Sequence, residues 1–123
     1  MKRTMLQLYL KNCDAALALY VKAFGATVDA IHRNPQTNLI AHAEITVFGQ
    51  CVSFMECESE VVVGNTMQFC FHFGEGGHEA TIQKAYDVLK DGAKIEMPLG
   101  ACEWSPCIFS LVDQFGVNWL LFV

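Results

Sequence analysis

The sequence predicts an α+β fold in which one β-α-β-β-β module is written twice in tandem. Three observations carry this expectation. The closing stretch FGVNWLLFV (Phe115 to Val123) rewrites FGQCVSFME (Phe48 to Glu56). Each half opens on a strictly alternating apolar segment, and each continues through one helix-periodic stretch into short apolar runs parted by turn residues.

In the first half MLQLYL sets Leu6, Leu8 and Leu10 on one face and Met5, Gln7 and Tyr9 on the other, the period of a strand covered on one side. NCDAALALYVKAFG then offers Asn12 or Asp14 as helix N-cap, Leu17, Tyr20 and Phe24 at helical spacing, and Gly25 as a left-handed stop. TVDAIH, LIAHAEITVF and QCVSFME follow as three strands, separated by RNPQTN and Gly49.

The second half repeats the order. MQFCFHF places Phe69, Phe71 and Phe73 on one face and Gln68, Cys70 and His72 on the other. GGHEATIQKAYDVLKDG brings Ile82, Ala85, Tyr86 and Leu89 to one helical stripe and stops at Gly92; AKIEMP, CIFSLVD and VNWLLFV complete the strands. The turn-prone VVVGNT, Val61 to Thr66, is the expected join, giving modules 1–63 and 64–123. One module leaves an apolar sheet face uncovered, so residues 1–123 are expected to fold as a single domain in which two modules enclose an open cleft.

Composition narrows the function classes. Hydrophobic residues reach 53% with tyrosine counted and glycine left out, above the usual share of about 45–50% that includes glycine, and the excess is expected to line a pocket or a subunit interface. A net charge of −5 with no Lys/Arg stripe argues against nucleic acid. No apolar run approaches the roughly 18 residues a membrane helix needs, so no membrane association is expected. MKRTMLQLYLKN starts like a signal peptide, but Gln7, Lys11 and Asn12 interrupt it and no cleavage site follows, so a cytoplasmic location is expected. The six cysteines are accordingly read as reduced thiols, and none has the C-x-x-C spacing of a zinc or redox motif.

On LALYVKAFGA (Leu17 to Ala26), MPLG followed by Trp104, and DQFGVNWLL (Asp113 to Leu121), together with the repeat, the whole chain resembles the vicinal oxygen chelate superfamily of glyoxalase, bleomycin-resistance and extradiol dioxygenase proteins. The match is nearest to its PhnB-like branch. The resemblance implies the glyoxalase/bleomycin resistance/dihydroxybiphenyl dioxygenase-like fold, an eight-stranded arrangement around an open cleft that holds small ligands, and homodimers.

Metal-dependent members of that superfamily carry His, Gln or Glu ligands on the first and last strand of each module. In register these positions fall here on Met5, Ser53, Gln68 and Leu120. A catalytic divalent ion wants about three imidazole, carboxylate or comparable donors, and a thioether and an alkyl chain are neither, so no metal and no cofactor are expected. Glu56 falls on the opposite alternation from Ser53 and Met55 and reads as a solvated strand-end charge rather than a substitute ligand.

Other chemistries are weaker still. His32, His42, His72 and His78 titrate near neutrality, but only His72 lies on an expected cleft row. FGEGGHEA lacks the Lys-Ser/Thr of a phosphate loop and reads as a turn. Cys51 and Cys70 fall on cleft rows as nucleophile candidates, yet read more simply as packing residues. What remains is a scattered polar set on an apolar face: Gln7, Tyr9, Ser53, Gln68, His72 and Asn118 beside Met55, with Trp104 in a loop placed to act as a lid. The sequence therefore predicts a homodimeric protein that binds a small, partly apolar molecule through Gln7, Tyr9, Ser53, Met55, Gln68, His72, Trp104 and Asn118. The alternatives are a metal-dependent lyase or dioxygenase with an atypical ligand set and a demethylubiquinone methyltransferase, the latter disfavoured by the absence of a glycine-rich cofactor loop after a strand.

Overall fold

In the computed structural model, which describes residues Met1–Val123, the chain runs β1 (Leu6–Leu10), α1 (Cys13–Phe24), β2 (Thr27–Arg33), β3 (Ile40–Val47), β4 (Gln50–Glu56), then β5 (Phe69–His72), α2 (Glu79–Leu89), β6 (Lys94–Cys102), β7 (Ser105–Val112) and β8 (Asn118–Phe122). The fold is α+β, with two β-α-β-β-β modules. The two sheets have the orders β1-β4-β3-β2 and β5-β8-β7-β6, so the same path is traced twice. Met1–Val62 and Val63–Val123 form two compact units.

The first unit folds around α1. Asn12 takes the left-handed conformation at φ 59° and its side chain accepts from the Ala15 N–H, while Gly25 ends the helix at φ 61°. Asp14, the other N-cap candidate, pairs instead with Arg33 at 2.6 Å. Cys13, Ala16, Tyr20, Ala23 and Phe24 are buried, and Tyr20 packs edge-on to Phe54 of β4. The buried stripe runs through Ala16, Tyr20 and Ala23, leaving Leu17 half-buried at its margin.

Register in this sheet is set by a two-residue turn. Phe48 (φ 48°) and Gly49 (φ 81°) are both left-handed, the geometry whose twist matches a hairpin. Val47 consequently pairs with Gln50, Ile45 with Val52, Glu44 with Ser53 and Ala43 with Phe54. Ala43, Ile45, Val47, Val52 and Phe54 are all buried, on the side that Tyr20 covers. His42, Glu44, Thr46, Cys51, Ser53 and Met55 alternate with them and occupy the opposite face.

The second unit buries Ile82, Ala85 and Leu89 of α2, and Tyr86 meets Phe109 of β7 with ring centroids 5.2 Å apart. Trp119, Phe109, Leu111 and Leu121 are fully buried; each such side chain contributes about 1.5–3 kcal/mol of transfer free energy. β6 runs on past Pro98 to Cys102, longer than AKIEMP alone predicts. Pro98 is tolerated because β6 is the edge strand, and the register shifts on either side absorb it. As a result Glu103 and Trp104 form only a two-residue turn joining β6 to β7, and the expected lid loop does not exist. In FGEGGHEA, residues 73–78 form the connection from β5 to α2, with Gly74, Gly76 and Gly77 at positive φ, and Glu79 and Ala80 open the helix. No helix is long and apolar enough to cross a membrane.

Candidate functional site

Each sheet has one face against its helix and one turned away, and the polar side chains singled out in the sequence lie on the second. On the first sheet β1 pairs with β4 in parallel, setting Gln7 beside Ser53 and Tyr9 beside Met55. Ser53 is fully buried; its Oγ donates to Gln7 Oε1 at 2.7 Å and lies 3.3 Å from Met5 Sδ. Tyr9 is 59% exposed.

The same face carries residues that sequence reasoning did not assemble. Glu44 receives the Arg3 guanidinium on both oxygens, at 2.7 and 2.9 Å, and His42 Nε2 lies 3.0 Å from Glu44 Oε1. Arg3 and then His42 hold the Glu44 carboxyl down to about 2. Thr46 donates to Asp29 at 2.7 Å. The signal was present in AHAEITV, where His42, Glu44 and Thr46 alternate with Ala43, Ile45 and Val47. His42 therefore shares the open face with Ser53, a position the sequence reading had reserved for His72. Cys51 lies here too, but burial and next the Glu44 carboxylate push its thiol pKa up. Cys70 is raised by desolvation, so neither thiol is activated as a nucleophile.

Glu56 is not a solvated charge. Its two oxygens accept the backbone N–H groups of Asn12 (2.7 Å) and Cys13 (2.9 Å), capping α1 from the neighbouring strand. Burial raises its pKa, but these donors outweigh burial and the net direction is down. Cys13, buried beneath the cap, is pushed up to about 12 by burial and by Glu56.

On the second sheet Gln68 Nε2 donates to Ser110 Oγ and to Asn118 Oδ1, each at 3.0 Å. At the other end of β8, four residues on from Asn118, stands an aromatic group. The His72 ring stacks on Phe122 with centroids 4.4 Å apart and planes within 9°, and Trp104 meets Phe122 edge-on at 5.2 Å. Trp104 remains 61% exposed. Gln68 with Asn118, and His72 with Trp104 through Phe122, are thus brought together.

The positions where the fold's metal-dependent members carry ligands do not fit an ion. Ser53 Oγ donates to Gln7, Met5 offers a thioether, Leu120 pairs with Cys70 and offers no donor, and Gln68, whose Nε2 donates to Ser110 and Asn118, keeps its Oε1 as the one carboxamide, carboxylate or imidazole donor of the four, short of the three an ion takes. No group of three or more His, Cys, Asp or Glu is arranged to hold a metal.

Comparison with known proteins agrees with this geometry at the level of the fold. The family model for the Glyoxalase/Bleomycin resistance protein/Dioxygenase superfamily matches residues 2–121. Among solved structures, the PhnB protein from Bacillus cereus, whose name carries 3-demethylubiquinone-9 3-methyltransferase, superposes with a TM-score of 0.81 at 22% identity, covering 99% of this chain and 98% of that one. The fosfomycin resistance protein FosX from Listeria monocytogenes, in its complex with Mn(II) and sulfate, gives a TM-score of 0.70 at 13% identity, covering 98% and 90%. TioX from Micromonospora sp. ML1 gives 0.64 at 19% identity, covering 98% and 94%. No curated protein sequence matches.

Proposed function

We propose that this chain, which belongs to the Glyoxalase/Bleomycin resistance protein/Dioxygenase superfamily, binds a small, partly apolar molecule on the open faces of its sheets and holds no metal at the family's usual donor positions. The observation that carries this reading is the make-up of the second sheet's open face. Trp104 and His72 present ring surface around Phe122, and the hydrogen-bonding cluster of Gln68, Ser110 and Asn118 lies on the same face, about 13 Å back along β8. Ring faces accept flat or greasy groups, and a few polar groups on an apolar wall orient a ligand. Gln7, Tyr9, Ser53 and Met55 play the corresponding part on the first sheet. Retention of the molecule, rather than its conversion, is the activity this donor set suits, and a homodimer in the cytoplasm is its expected form.

The test is tryptophan emission and melting temperature in a screen of small, partly apolar compounds. Trp119 is fully buried and Trp104 is 61% exposed, so a bound compound changes the emission of Trp104, and Trp104→Phe removes the response. A screen in which no compound changes either emission or melting temperature overturns the proposal.

One observation favours a second reading, a metal-dependent enzyme with an atypical ligand set. His42 and Glu44 offer an imidazole and a carboxylate 3.0 Å apart on one face. Against it, both Glu44 oxygens are already taken by Arg3. For the methyltransferase that the Bacillus cereus relative's name carries, titration with S-adenosylmethionine is expected to show no heat of binding.

A further inference from the structure

Glu44 lies in the middle of β3, opposite Ser53 of β4, with its side chain only 15% exposed. Its partner Arg3 comes from the residues preceding β1, which lie in no strand or helix, and is itself 48% exposed. The pairing is fork to fork: NH2 on Oε1 at 2.7 Å and NH1 on Oε2 at 2.9 Å. A planar guanidinium laid on a carboxylate in this way is the geometry by which proteins select guanidinium over ammonium. The first sheet thus shows an anionic seat, and the segment of the same chain that leads into β1 already sits in it.

We propose that Glu44 anchors a subsite for a planar cationic group, a guanidinium or amidinium, on the ligand, and that Arg3 fills this subsite in cis until the ligand displaces it. The inference rests on the reading that the open faces bind a small, partly apolar molecule, and it names the polar part of that molecule. His42 stays on Oε1 in either state, and the Gln7–Ser53 pair lies alongside through the β3–β4 and β1–β4 registers. Exchanging Arg3 for a ligand guanidinium replaces one pair of charge-assisted bonds by a like pair, so the exchange alone supplies little net affinity. The surplus has to come from apolar contact, and Met5, Tyr9 and Met55 on the same sheet face are the side chains available for it. Such a ligand is cationic at one end and apolar at the other.

Because Arg3 is tethered, it competes at an effective concentration in the millimolar range. Removing it raises the fraction of chains with an open seat and tightens apparent binding in proportion.

The experiment titrates the full chain with n-hexylguanidinium, n-hexylammonium and n-hexylurea, following amide resonances of Gln7, Glu44 and Ser53. Hexylguanidinium is expected to shift them at saturable concentration, hexylammonium more weakly, and the neutral, equally planar hexylurea not at all. Arg3→Ala is expected to tighten hexylguanidinium about ten-fold, and Glu44→Gln to abolish its binding in a chain whose amide spectrum remains that of the folded protein, at a melting temperature lowered by loss of the Arg3 pair. Should Glu44→Gln fail to fold, the Arg3→Ala comparison decides alone. Equal binding of the three probes, or no tightening in Arg3→Ala, overturns the inference. If hexylguanidinium does not bind while neutral compounds still change Trp104 emission, the subsite falls and the proposed function stands. If neither kind binds, both fall.

Discussion

Three carboxylates decide more of this structure than their number suggests. Asp113 is 4% exposed; one oxygen accepts the N–H groups of Phe115 (2.8 Å) and Val117 (3.0 Å), and the other accepts the indole N–H of buried Trp119 at 2.8 Å. Hydrogen bonds to a charged acceptor contribute about 1.5–3 kcal/mol, and a buried donor deprived of its acceptor costs a similar amount. Asp113→Ala is therefore expected to lower stability by about 3 kcal/mol, read as a fall in urea midpoint with unchanged slope. Glu56, half-buried, caps α1 from β4, and Glu56→Ala should cost about 1–2 kcal/mol. Glu44 gives a pH signature. Its folded pKa is depressed from the ordinary 4.5 to about 2, so its contribution is present above pH 4.5 and is lost as pH falls towards 2. Carbon-detected NMR titration of the Glu44 carboxyl should place its midpoint well below the ordinary value, and in Arg3→Ala that midpoint should rise. A midpoint unchanged by Arg3→Ala would show that the ion pair does not form.

At the scale of elements, the repeat is closed by two turns with related sequences and unequal surroundings. Gly49 (φ 81°) closes β3 to β4 with nothing within 4 Å of where a Cβ would stand. Gly116 (φ 87°) occupies the corresponding place before β8, but there a Cβ would come within 2.6 Å of Val63 Cγ2. Gly49→Ala meets only the left-handed penalty of about 1–2 kcal/mol. Gly116→Ala adds a clash with the segment that leads into the second unit, and is expected to lower the melting temperature distinctly more than Gly49→Ala. Equal losses would mean that Val63 moves aside freely. The elements themselves were legible in the sequence because each obeys one period: alternation found the strands, and Ile82, Ala85 and Leu89 found the inner face of α2. What periodicity does not contain is pairing. That Glu44 sits opposite Ser53 depends on Phe48 and Gly49 both turning left-handed, and that Glu56 caps α1 depends on a strand and a helix meeting across more than forty residues. The β6–β7 connection was misjudged for the same reason: Pro98 reads as a strand breaker until β6 is known to be the edge.

For the whole molecule, the duplicated topology and the superfamily match describe a scaffold, and a scaffold of this kind hosts unrelated chemistries. The chemistry of this chain has to be argued from what its sheets carry. At the positions to which the resemblance carries the family's metal ligands stand Met5, Ser53, Gln68 and Leu120, and the proposal of the protein as a binder rests on that substitution. The homodimer proposed for it is checked by light scattering during gel filtration, where a mass near twice 13.7 kDa is expected and the monomer mass would remove the dimer from the account. The substitution itself meets its most direct test in elemental analysis of protein purified without chelator and then dialysed against Mn, Fe, Ni and Zn. Far less than stoichiometric metal is predicted to remain after the excess is removed; about one equivalent per chain of any of them, retained as a three-donor site would retain it, contradicts the account.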